Sequence, residues 1–301
     1  MSTSKISERV YLIDTLGLGQ KSSVAAYLLK GRKTALVDCG YASSAPAILE
    51  GLKSLNVNPS DVDYIIPTHV HLDHAGAAGY LLDEMPKAKV IAQERGVKHL
   101  VDPTRLVQSA TSIFGEELIR MYGTPKPIPA EKITGVGEEM HVDLGGLSAT
   151  AVHTPGHAPH QISVHVEEEK VLLAADAVGI VYPFLRVVLP TTPPPSLDPA
   201  ELGRSAERLA QMDSKLLLAP HFGVRPDVKE VLAETTRKTN KWVSAVKDMK
   251  NKGMQLAEMS AALKHELSVE SGVPESGFPG YSDIAIRTSA MGILQYLEKN
   301  P

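Results

Sequence analysis

Cysteine is all but missing from this sequence: 301 residues contain one, Cys39. An internal disulfide is therefore excluded, and that suits a reducing compartment. Long hydrophobic runs are missing too. No stretch approaches the roughly 18 consecutive apolar residues of a membrane span. The opening "MSTSKISERVYLID" lacks the apolar core of a secretory signal. A cytoplasmic protein without a membrane partner is the expectation. Neither sign of charge dominates: 31 Lys and Arg against 35 Asp and Glu leave a net charge of −4. Global charge thus points to neither nucleic acid nor membrane. No internal repeat of solenoid period is visible. What remains is an ordinary globular composition, 43% hydrophobic and 22% charged. A chain this long buries roughly 75% of its unfolded surface, so it needs no staples. Eleven histidines are the one oddity.

Short apolar stretches separated by turn residues open the chain: "VYLID" (10–14), "SVAAYLLK" (23–30) and "TALVDC" (34–39) read as a strand meander. "APAILEGLKSL" (45–55) has helical spacing, "DYIIPT" (63–68) reads as a buried strand, "AAGYLLDEM" (77–85) as a helix and "KVIAQ" (89–93) as a strand. Two helical stretches fill roughly 94–122. A second cycle brings strands at 131–136, 147–153, 160–166 and 170–176. A helix follows at 198–212, capped by Asp198 with Pro199 in its first turn, and then a strand at 215–220. Two cycles of strands and helix predict a layered α/β structure, with sheets packed inside helices. "TTPPPS" (191–196) reads as a stiff surface crossing. After His221 the pattern becomes helical, at 228–249, 255–267 and 282–299. The last stretch puts Ile286, Ala290, Ile293, Leu294 and Leu297 on one face. Such a stripe has to be buried, on its own chain or on a second copy, and a homodimer is the expectation. The division is thus a catalytic unit at 1–225 and a helical subdomain at 226–301.

"THVHLDHAGAAG" (68–79) packs His69, His71, Asp73 and His74 into six positions where "DYIIPT" ends. In α/β sheets, ligands collect beyond the carboxyl ends of strands. Crowding three imidazoles and a carboxylate is unfavourable unless something positive sits between them. Nitrogen and carboxylate oxygen without thiolate suit zinc, iron or manganese. A metal needs three or four such ligands, and candidates recur downstream just past predicted strands. They are His153, His157 and His160 in "VHTPGHAPHQ", Asp176 in "LLAADAVG", and His221 in "LLLAPHFG".

This set, His69-x-His71-x-Asp73-His74, then His157 in "TPGH", Asp176, and His221 in "APHFG", resembles the metallo-β-lactamase superfamily over roughly residues 8–225. The resemblance implies a four-layer αββα sandwich with a two-metal site at one edge. It implies that His69, His71 and His157 hold one metal, that Asp73, His74 and His221 hold the other, and that Asp176 bridges them. "LVDCG" (36–40) resembles the family's early strand and turn, with Asp38 supporting a ligand by hydrogen bonding. Two departures, Cys39 where many members carry threonine and "APHFG" where many carry "PGHG", remove no ligand.

Two metals ~3.5–4 Å apart lower the pKa of a shared water toward ~7 and clamp attacking and leaving oxygens. A metal-bridging hydroxide then needs no protein nucleophile, and Asp73 orients it. No glutamate stands at His71, as it would in relatives with a redox di-iron centre, which favours hydrolysis. Nuclease branches carry an inserted domain, and the stretch 177–220 has no room for one. The resemblance is to the glyoxalase II and lactonase type: two zinc ions, or iron or manganese, acting on a small-molecule ester, thioester or lactone, with β-lactam cleavage as a side activity. The alternatives are a phosphodiesterase or ribonuclease of the same fold and a mononuclear iron persulfide dioxygenase.

Tyr182 follows Asp176 at a longer spacing than the tyrosine of lactonase-like relatives; it is a candidate for hydrogen-bonding a substrate oxygen, with core or loop packing as the favoured reading. His153 and His160 read as supporting groups, and His99, His141, His165 and His265 as surface or structural. "RKTNKWVSAVKDMKNK" (237–252) is basic. With Trp242, Val246 and Met249 inward it reads as a solvated helix face, and a nucleic-acid contact there is not favoured. "GLG" (17–19) lacks the third glycine of a dinucleotide site. "STSK" (2–5) fits an acyl-enzyme spacing but lies in what reads as a frayed terminus.

Overall fold

Strands that are apolar on both faces need cover on both sides, and the chain supplies it. The computed structural model describes residues 3–185 and 187–300. One sheet holds, in chain order, β1 (Thr3–Lys5), β2 (Val10–Asp14), β3 (Ala25–Lys30), β4 (Thr34–Val37), β5 (Tyr64–Ile66), β6 (Lys89–Gln93) and β7 (Ile133–Val136). It is antiparallel from β1 to β4 and parallel from β4 to β7. The second sheet holds β8 (Glu139–Asp143), β9 (Ser148–His153), β10 (Ile162–Val166), β11 (Val171–Leu173), β12 (Leu216–Ala219) and β13 (Gly223–Arg225). Here β11 and β12 are parallel and the other pairs antiparallel. The helices are α1 (Ala45–Ser54), α2 (Leu72–Ala75), α3 (Ala78–Glu84), α4 (Glu94–Val101), α5 (Thr104–Phe114), α6 (Glu116–Tyr122), α7 (Pro199–Ala210), α8 (Val228–Asn251), α9 (Leu256–Ser271) and α10 (Gly280–Lys299).

The two-residue period of a strand sorts these side chains. Ala25, Tyr27 and Leu29 of β3 point into the core between the sheets, with Val164 of β10 and Leu218 of β12. Ala26 and Leu28, on the other face, meet Ile48 and Leu52 of α1 and Leu81 of α3. Leu172 and Leu217 of the second sheet face outward onto Ala206 and Leu209 of α7 and Val231 of α8. The result is the predicted αββα sandwich with helices appended at the C-terminal end. The sheets are tied at the edge that carries the candidate site: Tyr27 donates to Ala219 O at 2.7 Å and Ala25 N to Pro220 O at 2.7 Å.

Four local expectations need correcting. The N-terminal segment is not frayed, because Thr3–Lys5 pairs with β2, Ser4 opposite Leu12; Ser2 lies outside the described residues. Residues 94–122 form three helices, not two, broken at Pro103 and at Gly115, whose φ of 83° ends α5. "TTPPPS" is no simple surface crossing, since Thr191 and Thr192 are buried. Strands β8 and β13 did not stand out; both are edge strands with mixed polar composition.

The C-terminal helices pack on the segment after Asp176. Ile180, Tyr182, Leu185, Leu189 and Leu197 share one core with Trp242, Leu263, Ile286 and Ile293. The α10 stripe is covered within the chain: Ile286, Ala290, Ile293 and Leu297 are buried there. It therefore gives no reason for a second copy, and the argument from this stripe to a homodimer lapses. In the basic stretch, Trp242 and Val246 are buried as expected. Lys238 and Lys241 reach Glu270 at 2.8 Å and Glu266 at 3.0 Å on α9. Those charges are matched within the protein. Among the described residues, no helix is long and apolar enough to cross a membrane.

Candidate metal centre

Each of the seven expected ligands follows a strand or starts the helix next to one, and the fold brings all seven together. His69 lies just beyond β5, His157 beyond β9, Asp176 beyond β11 and His221 beyond β12. His71 precedes α2, and Asp73 and His74 lie in its first turn. Donor atoms within 4.8 Å of one another fall into three groups: His69 with His71 and His157; Asp73 with His74 and His221; His69 with His74 and Asp176. Asp176 Oδ2 is central. It stands 3.5 Å from His157 Nε2, 3.4 Å from His221 Nε2 and 3.8 Å from His74 Nε2. Asp73 Oδ2 stands 3.5 Å from His221 Nε2 and 3.6 Å from His74 Nε2.

Hydrogen bonds from behind aim the lone pairs inward. His157 Nδ1 faces the Thr191 carbonyl at 3.0 Å. A carbonyl only accepts, so the proton is on Nδ1 and the lone pair on Nε2. Asp38 Oδ2 accepts from His74 Nδ1 at 3.0 Å and from Thr68 Oγ1 at 3.1 Å. With its proton committed to Asp38, the Thr68 hydroxyl accepts from His69 Nδ1 at 3.2 Å. One carboxylate thus orients two imidazoles, one of them through a threonine. Asp38 is itself pinned by Thr68 N at 2.7 Å.

Local backbone geometry is unusual here. Asp38, Ala175 and Phe222 all have φ between 53° and 57°, left-handed values rare for residues with a Cβ. Two of them adjoin Asp176 and His221, and such strain gathers at functional sites. Gly156 has φ 131°, and a Cβ there would lie 2.3 Å from Leu202 N. Only glycine lets "TPGH" lie this close against α7.

The donors are short of protons and partners. His69 Nε2 and His157 Nε2 lie 2.8 and 3.0 Å from His71 Nδ1, which carries at most one proton for the two of them. His74 Nε2 and Asp176 Oδ1 are buried with no hydrogen-bond partner. Burial first, and then the neighbouring imidazoles, hold His69 and His71 well below the usual histidine range. Burial lowers His157 as well. Burial opposes charge on His74 too, but Asp73, Asp38 and Asp176 outweigh it and raise that group to about 10. Despite its burial, Asp176 is held far below the carboxylate range by His221, His157 and His74. His69, His71 and His157 thus present unprotonated nitrogens. Burial opposes charge on His221 but Asp176 and Asp73 raise it, so that Asp73 and Asp176 draw positive charge onto His74 and His221. A pair of divalent cations fits this donor set: one would take the lone pairs of His69, His71 and His157, which a single proton cannot all satisfy, and the other would supply the positive charge that Asp73 and Asp176 otherwise draw onto His74 and His221.

A cavity of about 340 Å³ opens onto the cluster. Tyr182 lines it, buried, its ring 6.4 Å from that of His221 and 5.0 Å from that of Tyr281. His160 lines it too, its ring 5.8 Å from that of His71. Burial lowers His160 to about 4. His153 turns away, to Pro159 O at 3.1 Å. His99 is not merely a surface group, since it lines the cavity beside His160 at 6.3 Å between rings. His141, His165 and His265 make polar contacts remote from the cluster. Sequence reasoning missed the stacked pair Tyr41 and Tyr122, rings 4.2 Å apart, and also Arg105 and Tyr281, all of which line the cavity. Tyr41 had a signal, its place directly after "LVDCG"; the other three had none.

The chain belongs to the metallo-beta-lactamase superfamily, whose family profile matches residues 19–221. The metallo-beta-lactamase fold-containing protein ST1585 of Sulfurisphaera tokodaii is 32% identical over 209 residues, 68% of this chain and 75% of that one. The crystal structure of ST1585 matches with a TM-score of 0.65 at 28% identity, covering 77% of this chain and 86% of the other. More partial matches reach the N-acyl homoserine lactonase AttM of Rhizobium radiobacter, 28% identical over 43% of this chain and 46% of that one. The flavo-diiron protein FprA2 of Clostridium acetobutylicum is 27% identical over 52% of this chain and 34% of its own length. The coarse reading is a metallo-hydrolase of this superfamily with a His/Asp cluster able to hold metal.

Proposed function

We propose that the chain is a dinuclear zinc hydrolase of carboxylic esters, thioesters or lactones. Residues 1–225 are its catalytic unit, and the helices of 226–301 wall the cleft. The observation that carries this reading is the position of Asp176 Oδ2, within 3.8 Å of imidazoles from both histidine groups. In this reading His69, His71 and His157 hold one ion, and Asp73, His74 and His221 the other, with Asp176 between them. Bound there, two divalent cations supply an acidified water and a Lewis acid for the carbonyl.

The chain's own residues do the rest. Asp73, less buried than Asp176 and open to the cavity, orients the attacking water by accepting its proton. Tyr182 presents a phenol that donates to the leaving oxygen. Asp38, Thr68 and the Thr191 carbonyl hold the imidazoles in one tautomer. The burial of His69, His74 and His157 keeps bulk water from competing for those positions. Likeness to AttM supports the lactone branch, since that protein's name specifies lactone cleavage.

Likeness to FprA2 favours a second reading, a di-iron redox centre. Metal analysis of the purified protein separates the two. The expected result is about two zinc ions per chain and a colourless protein that cleaves a lactone or thioester. Two irons with visible absorption and no turnover would establish the second reading. A panel that adds β-lactam, phosphodiester, RNA and persulfide substrates tests the remaining branches; preferential cleavage of RNA or oxidation of a persulfide would replace the ester assignment.

A further inference from the structure

We infer that the cleft between α5 and α10 is a binding site for a neutral, apolar tail, so that the substrate is a carbonyl compound bearing an extended alkyl or aryl group. The inference rests on the reading above only in placing the reacting carbonyl at the metal cluster.

Two half-covered helix faces carry it. On α5, Leu106, Ala110 and Ile113 recur at helical spacing and line the cavity. On α10, Tyr281, Ile284, Ala285 and Thr288 do the same. The α10 set flanks Ile286, Ala290, Ile293 and Leu297, which fill the core beneath; Tyr281 and Ala285 lean on that core and line the cavity as well. An amphipathic helix buries one face. α10 has one face in the core and another lining the mouth of a cavity, where Ile284 and Ala285 stay only partly covered. Apolar surface left at a concave site marks a place where a ligand completes the burial.

Charge fixes the class. Among the described residues lining the cavity, Asp73, Asp176 and Arg105 are the only Asp, Glu, Lys or Arg. The two carboxylates belong to the metal cluster, which leaves one cation and no lysine to bind an anionic carrier. A glutathione-like or nucleotide moiety, with several charges, has only Arg105 of α5 to pair with along the two walls, whereas an alkyl or aryl chain has apolar surface on both. The volume, about 340 Å³, is near the lower end for small-molecule sites. It suits one chain of moderate length.

The test uses methyl ketones of four, six, eight and ten carbons, which carry a carbonyl and a tail but cannot be hydrolysed. Their affinity for the purified full-length protein is measured by calorimetry. Each added methylene should tighten binding about fourfold, the equivalent of ~0.8 kcal/mol per buried CH₂, until the cleft is filled. Ala285→Trp, which fills the α10 wall, and Ile113→Gln, which makes the α5 wall polar, should both flatten that dependence. Val269→Ala, on an outer helix surface at 71% exposure, should leave it unchanged. Affinity independent of chain length would overturn the inference. So would a dependence equally steep in both wall variants, which would put the tail elsewhere; having two variants guards against one failing to fold. Because ketone binding needs no turnover, a steep series in a protein that cleaves no ester leaves the cleft standing and removes the hydrolase reading.

Discussion

His74 donates its Nδ1 proton to Asp38 Oδ2 across 3.0 Å, and both side chains are almost fully removed from solvent. The bond fixes which nitrogen of His74 turns to the cluster. Asp38 sits at φ 57°, a left-handed conformation that asparagine tolerates better than alanine. Asp38→Asn therefore tests the charge without adding backbone strain. Metal affinity should fall about 10- to 100-fold, read by competition with a coloured chelator, while circular dichroism stays as in the parent. Unchanged competition would mean that His74 is oriented without help from Asp38.

Asp176→Ala should reduce hydrolysis by orders of magnitude and leave the fold in place. The carboxylate lies within 3.8 Å of His157, His74 and His221 alike, and its Oδ1 has no hydrogen-bond partner to lose. With two cations bound as proposed, its removal would leave them poorly shielded from one another. Turnover and bound metal should drop together. Near-parental turnover at full metal occupancy would refute a bridging role.

The donor cluster was legible because its signals are local. His69, His157, Asp176 and His221 each lie a few residues past a buried apolar strand, and strand ends are where such sheets collect ligands. The helix cap was legible for the same reason: Asp198 accepts from Ala200 N at 3.0 Å and Glu201 N at 2.9 Å. The cleft walls were not. Arg105, Tyr122 and Tyr281 reach the cavity from helices whose docking depends on tertiary packing rather than period. The proline-rich segment misled because its composition reads as solvent-exposed, whereas Thr192 is buried against α10 through Ser289. The α10 stripe was visible, but what covers it was not, since a stripe looks alike whether it meets its own chain or another.

Gly292→Ala should destabilise the protein and weaken the metal site together. Gly292 lies where α10 crosses the segment after Leu189, and an added Cβ would meet Thr192 O at 1.9 Å and Pro193 C at 2.6 Å. The neighbouring Thr191 carbonyl is the acceptor for His157 Nδ1, and Thr192 is latched to Ser289 of α10. Pushing the helix outward therefore disturbs a ligand's support. Overpacking of this kind costs about 1–3 kcal/mol. Thermal unfolding checks the first effect and chelator competition the second. A loss of stability with unaltered metal affinity would show that α10 and the histidine are uncoupled.

Removing the helices of 226–301 should leave a protein that aggregates or has lost activity. Ile180, Tyr182, Leu185, Leu189 and Leu197 share one buried core with Trp242, Leu263, Ile286 and Ile293. Each large aliphatic side chain in that core contributes roughly 1.5–3 kcal/mol by its burial, so exposing several at once exceeds much of the 5–15 kcal/mol by which domains are stable. The same loss frees the segment that carries Thr191, and with it the orientation of His157. Val231 and Leu232 of α8 also cover the outer face of the second sheet, so truncation bares that face as well. Light scattering and turnover of the truncated chain give the answer. If it stays monodisperse and keeps parental activity, the sandwich folds and works alone, and the helices are neither its cover nor the wall of its cleft.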